Sequence, residues 1–139
     1  MKLGGIALLI IVLAFSLGAC RNTGGGGGGG TSSGGNPDNG KALFSSKGCP
    51  TCHTLKSVQG ANGTIGPDLD GIGTRAGGAG HEGAKPPETP EQYIDESIKD
   101  PGAFVVSGFP PPNQGGMVLP VPVNDAERRD LVAFLLTQK

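Results

Sequence analysis

Cys49-Pro50-Thr51-Cys52-His53 places two thiols and an imidazole in one short stretch of chain. The spacing C-x-x-C-H is the attachment pattern of c-type haem. Two cysteines three apart can each form a thioether to a porphyrin vinyl group, and the adjacent imidazole turns to the iron as its proximal ligand. Three other chemistries use overlapping residue types. A thioredoxin-like dithiol wants Cys-Pro-x-Cys at a helix start inside a strand–helix–strand unit, whereas residues 38–48 read as helix. Zinc wants four ligands, a count that Cys49, Cys52, His53 and the distant His81 reach, but neighbours such as Cys52 and His53 rarely converge on one small ion. A plain disulfide leaves His53 without a role. The expectation is one covalent haem c on Cys49 and Cys52, with its iron on His53.

The sixth iron ligand separates electron transfer from ligand chemistry. Met117, in Gly115-Gly116-Met117-Val118-Leu119-Pro120, is the only methionine beyond Met1 and lies 64 residues after His53. Its alternative role is an ordinary core residue. His81, in Ala-Gly-His-Glu-Gly, reads as a solvated loop residue. Met117 is therefore the expected second ligand, and a His53/Met117 pair makes a one-electron carrier, the soft thioether favouring ferrous iron. An iron left open would instead make a peroxidase-like or gas-binding protein. No acid, base or nucleophile constellation stands out elsewhere, so no catalysis is expected of the chain itself.

Composition agrees that something other than side chains must fill the core. The 139 residues include no Trp, one Tyr and five Phe, too few large apolar groups for a self-sufficient domain of about 100 residues. Glycine (27) and proline (12) are abundant, but nine glycines fall within 24–35 and nine within 60–83. Only the first cluster is a homopolymer tract. The net charge of −1, with no basic block, argues against nucleic acid as a partner.

Three helices must position the motif. Residues 38–48 offer Asp38 as N-cap, Leu43 and Phe44 as buried residues and Gly48 as a stop. Thr89-Pro90-Glu91-Gln92 is a capping box with proline at the first helical position; its helix puts Tyr93, Ile94, Ser97 and Ile98 on one face, and Pro101 ends it. Asn124-Asp125-Ala126-Glu127 starts a third helix, expected to run to the C-terminus with Leu131, Val132, Leu135 and Leu136 inward. No segment alternates with period two. The fold class expected is all-α.

The N-terminus reads as an export leader. Lys2 is its one charge, Ile6–Leu17 is an apolar run, and small residues follow. That run spans about 18 Å as helix, short of the roughly 30 Å of a hydrocarbon core. Leu17-Gly18-Ala19-Cys20 resembles the lipobox of bacterial lipoproteins, which implies a lipidated Cys20 as the mature N-terminus; the alternative is a cysteine removed with the leader. Residues 21–36 carry no apolar side chain and behave as a flexible coil with a reach of about 22 Å, at most about 55 Å when stretched. A phosphate-cradling glycine loop would need a strand before it, where a leader stands instead. The division expected is a leader over 1–19, a lipidated cysteine and tether over 20–36, and a haem domain over 37–139.

Taken together, the helix leading into Cys49-Pro-Thr-Cys-His53, Gly66-Pro67-Asp68-Leu69, Gly71-Ile-Gly-Thr-Arg75, Met117 and the final helix resemble the class I monohaem cytochromes c. The resemblance implies three to four helices wrapped around one haem. It also implies that the Pro67 carbonyl accepts the His53 Nδ1–H, that Arg75 meets a haem propionate, and that Leu43 or Phe44 of the first helix crosses Leu131 and Leu135 of the last. Tyr93-Ile-Asp-Glu-Ser-Ile-Lys-Asp-Pro101 with Val105-Val106-Ser-Gly-Phe-Pro110 is similar to the cytochrome domain of haem–copper oxidase subunit II and to monohaem subunits of alternative complex III. The expected protein is thus exported and lipid-anchored at the periplasmic or outer face of the cytoplasmic membrane. Its expected partners are redox complexes of that membrane: a quinol-oxidising complex upstream and a terminal oxidase or photosynthetic reaction centre downstream. The alternative is a haem subunit fixed within such a complex.

Overall fold

The computed structural model describes residues 34–76, 89–112, 114–117 and 122–139. Cys20, the leader, the run Gly24–Gly30 and His81 lie outside the described residues. Chain order is α1 (Pro37–Ser46), a 3₁₀ turn (Cys49–Thr51), the single-turn α2 (Ile72–Arg75), α3 (Pro90–Lys99) and α4 (Asp125–Leu136). Among the described residues the fold is helical without strands, with one isolated bridge between Thr54 and Asn62.

Helix α1 begins two residues earlier than a cap at Asp38 implies, and Asp38 is not its cap. Asn36 holds that place: its side chain accepts from the amides of Asp38 and Asn39 at 2.9 and 3.2 Å, and Pro37 fits the first helical position, where no amide bond is needed. Asp38 sits instead in the first turn, where a carboxylate suits the positive end of the helix dipole. Gly48, left-handed at φ 82°, stops the chain after α1 as expected.

Helices α1 and α4 pack against each other through backbone as much as side chain. A Cβ on Gly40 would lie 2.0 Å from the Asp130 carbonyl oxygen and 2.7 Å from the Phe134 Cβ, so only glycine permits the approach. One turn on, Phe44 is 1 % exposed and its ring meets Phe134 at a 5.8 Å centroid distance, tilted 60°. The crossing therefore runs through Phe134, with Leu131 and Leu135 in the same buried cluster and Leu43 only partly buried beside it.

Both expected capping boxes form. Thr89 accepts from the Gln92 amide while the Gln92 side chain accepts from the Thr89 amide; Asn124 and Glu127 do the same for α4. Glu127 also pairs with Lys47 at 2.9 Å, and Lys47 donates to the Pro122 carbonyl, so the end of α1 is clamped to the start of α4. Helix α4 stops at Leu136, short of the terminus, because the tail has other work: the Gln138 carbonyl accepts from the Gly73 amide and Lys139 donates to the Gly73 carbonyl. Arg128 bridges Asp95 of α3 and Asp125, each at 2.7 Å.

Two outcomes follow for stability. Gly40→Ala forces the helices apart and costs about 1–3 kcal/mol, read as a fall in Tm of about 4–8 °C per kcal/mol in a domain of this size. The Asn124 amide, then Lys47, hold the Glu127 carboxyl below its ordinary value. A depressed carboxyl stabilises above its unfolded pKa and stops doing so as pH falls. The Tm difference between the parent and Glu127→Gln is therefore present at pH 7 and shrinks below about pH 4.5.

Candidate functional site

The motif leaves α1 through Gly48 and tightens into the 3₁₀ turn, where the Cys49 carbonyl accepts from the amides of both Cys52 and His53, at 3.1 and 3.0 Å. Cys49 and Cys52 are free thiols, each partly buried. Burial, opposed by a backbone hydrogen bond and supported by the neighbouring Cys52, pushes the Cys49 thiol up. That is the reverse of what a thioredoxin-type nucleophile requires, and the helix preceding the motif removes the strand that such a fold needs.

His53 is fixed by two contacts. Its Nδ1 lies 2.8 Å from the Pro67 carbonyl oxygen, an acceptor only, so Nδ1 carries the hydrogen and donates. Burial lowers the pKa of the ring, against a smaller upward pull from Pro67, so the imidazole is neutral with its Nε2 lone pair unprotonated, the form in which histidine ligates a metal. Gly66 also lies against the ring: a Cβ there would sit 2.5 Å from Cε1, 2.9 Å from Nδ1 and 3.0 Å from Nε2. The Gly66 amide donates to the Cys52 carbonyl at 2.8 Å, and Gly63, whose Cβ would strike Thr51 and Cys52, donates to Pro50 at 3.2 Å. The loop after the motif is thus stitched back onto it.

Two cavities, of about 150 and 440 Å³, share His53, Cys52, Ile65, Gly116, Met117 and Leu135 in their walls. The first reaches toward α3, past Tyr93, Ile94 and Phe104; the second reaches toward Cys49, Phe44 and Leu131. The face of α3 read from the sequence as buried is therefore a cavity wall. Tyr93 and Phe104 support it with rings 6.1 Å apart. Met117 is partly buried and lines both spaces with His53. Ile65, 48 % exposed, stands at their edge as the exposed large apolar residue among those described; the sequence offers no signal that distinguishes it.

Arg75 also borders the first cavity. Its Nε donates to the Asp70 carbonyl, and its Nη2 to those of Asp68 and Asp70, at 2.8–3.0 Å. The side chain therefore fastens the Gly71 turn beside the cavity, a part not foreseen for it. Gly66 and Gly63 were also missed as site residues. Only their places beside Pro67 and within the glycine-rich middle of the chain hinted at close backbone approach.

The residues fit a c-type haem. Two thiols stand three apart on one turn, a neutral imidazole is held by its Nδ1 and would be disturbed by any Gly66 side chain, and apolar walls of Ile, Leu, Phe and Tyr side chains surround the space beside it. The family model for cytochrome c matches residues 37–139. No curated protein matches the chain.

Two variants test this site. Cys49→Ala with Cys52→Ala retains no haem through denaturing chromatography, whereas the parent carries one covalently. Gly66→Ala keeps the thioethers but tilts the His53 ring; given the usual worth of a partner that orients a metal ligand, about 10–100-fold, its spectrum shifts toward high spin.

Proposed function

Because the chain belongs to the cytochrome c family, a family of haem-based electron carriers, we propose that it shuttles single electrons with His53 and Met117 both bound to the iron. Covalent c-type haem supplies the ferric–ferrous couple. What supports the ligand pair is that His53 and Met117 line the same two cavities. His53 offers an unprotonated Nε2 while the Pro67 carbonyl holds its ring and raises its basicity. Met117 offers a thioether, a soft ligand that favours the reduced state. Apolar walls exclude water and keep the local dielectric low, so little solvent must reorient when the charge changes. With both ligands from the protein, no position is left for a substrate. Arg75, whose Nη1 is not engaged in its bonds to the Asp68 and Asp70 carbonyls, is the cation for a propionate at the cavity edge.

Export and anchoring complete the reading. Lipidated Cys20 holds the domain at the periplasmic or outer face of the cytoplasmic membrane, and the Gly-rich segment gives it reach between a quinol-oxidising complex and an oxidase or reaction centre. A chain with net charge −1 has no broad basic surface, so its contacts with those complexes are small and transient.

The oxidised protein shows the weak near-infrared methionine–iron band. Met117→Ala loses it, binds CO in the reduced state and has a lower reduction potential. An unchanged spectrum and rapid CO binding by the parent would overturn the ligand pair and make the protein a haem enzyme or gas binder. Mass spectrometry of the mature N-terminus finds a diacylated Cys20. Stoichiometric retention with a complex through detergent and salt washes would instead identify a fixed subunit.

A further inference from the structure

The segment that carries Met117 is built around three consecutive prolines, Pro110-Pro111-Pro112. Each ring locks its own φ near −65°, and each following proline confines the residue before it to extended backbone, so the Pro110 and Pro111 carbonyls are held in fixed directions. Both point at the chain just before Met117. The Pro111 carbonyl accepts from the Gln114 amide at 3.1 Å, closing a turn, and from the Gly116 amide at 3.3 Å. Gly116 is buried, and a Cβ on it would lie 2.0 Å from the Pro110 oxygen and 2.8 Å from the Pro111 oxygen. Gly115 takes φ +93° to bring the chain round with nothing else within 4 Å of its own Cβ position. Phe109, Pro110 and Pro112 themselves wall the first cavity, with Gly116 and Met117 beside them.

We propose that Pro110, Pro111 and Gly116 form a rigid bracket that positions the Met117 thioether toward His53, so that the strength of methionine ligation is set by a backbone contact made just before Met117. The proposal rests on Met117 being the sixth ligand. A methyl at position 116 finds no flexible side chain to push aside, only carbonyls that prolines hold in place. The displacement therefore passes along the chain to Met117. Gly116 is a positioning residue: it has no side chain to offer the iron and acts through the residue after it.

The experiment compares the full-length, haem-loaded parent with Gly116→Ala, Pro111→Ala and Met117→Ala, using the near-infrared band of the oxidised protein and its affinity for added imidazole, which competes for the sixth position. Overpacking of a fixed contact weakens the methionine–iron population by roughly 5- to 150-fold. Gly116→Ala accordingly binds imidazole more tightly by that factor and loses most of the band, while its thioethers stay intact. Pro111→Ala keeps both carbonyls but releases Pro110 from the following ring and so frees the direction of its carbonyl; alone it raises imidazole affinity less, and combined with Gly116→Ala it restores part of the band. If Gly116→Ala keeps the parent's band and imidazole affinity while Met117→Ala loses the band, the bracket is wrong and the ligand assignment stands. If the parent itself lacks the band, the ligand assignment fails. Should Gly116→Ala yield no haem-loaded protein, Pro111→Ala decides alone: unchanged imidazole affinity overturns the bracket.

Discussion

The hydrogen bond from His53 Nδ1 to the Pro67 carbonyl, 2.8 Å long, fixes an imidazole that burial keeps neutral, and much of the local fold follows from holding that ring still. A typical hydrogen bond nets only about 0.5–1.5 kcal/mol, so its value here is direction more than strength. For Pro67 to reach Nδ1, the chain after the motif must turn back within 14 residues. It does so by pressing bare backbone against the motif at Gly63 and Gly66, where a side chain at either position would collide with Thr51, Cys52 or the ring itself. The Cys49 carbonyl, accepting two amides, completes the turn from within.

The remainder of the domain supplies a frame that owes nothing to the motif. Gly40 lets α1 lie on the Asp130 carbonyl, Phe44 and Phe134 fill the next layer, and Lys47 ties the two helix ends through Glu127 and Pro122. Among the described residues the fully buried large side chains are Phe44, Leu55 and Val132. A core so thin leaves the space between α3, α4 and the Met117 segment lined but not filled by the protein. Removing a buried Phe from such a frame costs about 3–5 kcal/mol, a large part of the stability of any small domain.

Local chemistry was legible in the sequence, and long-range geometry was not. The two capping boxes, the stop at Gly48 and the inward face of α3 follow from patterns within a few residues, because caps and amphipathic periods are local physics. Asp38 was misassigned as a cap because it and Asn36 are both acceptable side chains two apart; Pro37, which wants the first helical position, decides for Asn36. Met117 was singled out as the only methionine beyond Met1, 64 residues after His53, but the Pro67 placement came with the family resemblance, since nothing within a loop tells which residue it will face. Arg75 shows the same limit: its charge was visible, but not that Asp68 and Asp70 would offer carbonyls to it. Gly40 and Gly116 are the sharpest cases. A glycine in sequence cannot be told apart from a turn residue until the backbone it touches, Asp130 or Pro110, is known to lie against it.

Where the chain enters the domain is set by contacts of the same kind. Gly35 packs on the Arg129 carbonyl, and the Asn36 amide donates to the Asp130 side chain at 2.7 Å. On a helix with about 100° per residue, the backbone between residues 129 and 130 lies about 170° from the mean direction of Leu131 and Leu135, the α4 residues that wall the cavities. Residues 34–36 thus enter the domain on the side of α4 away from the space shared by His53 and Met117. The hydrogen bond at Asn36 and the close packing of Gly35 on α4 make that point of entry a property of the folded domain.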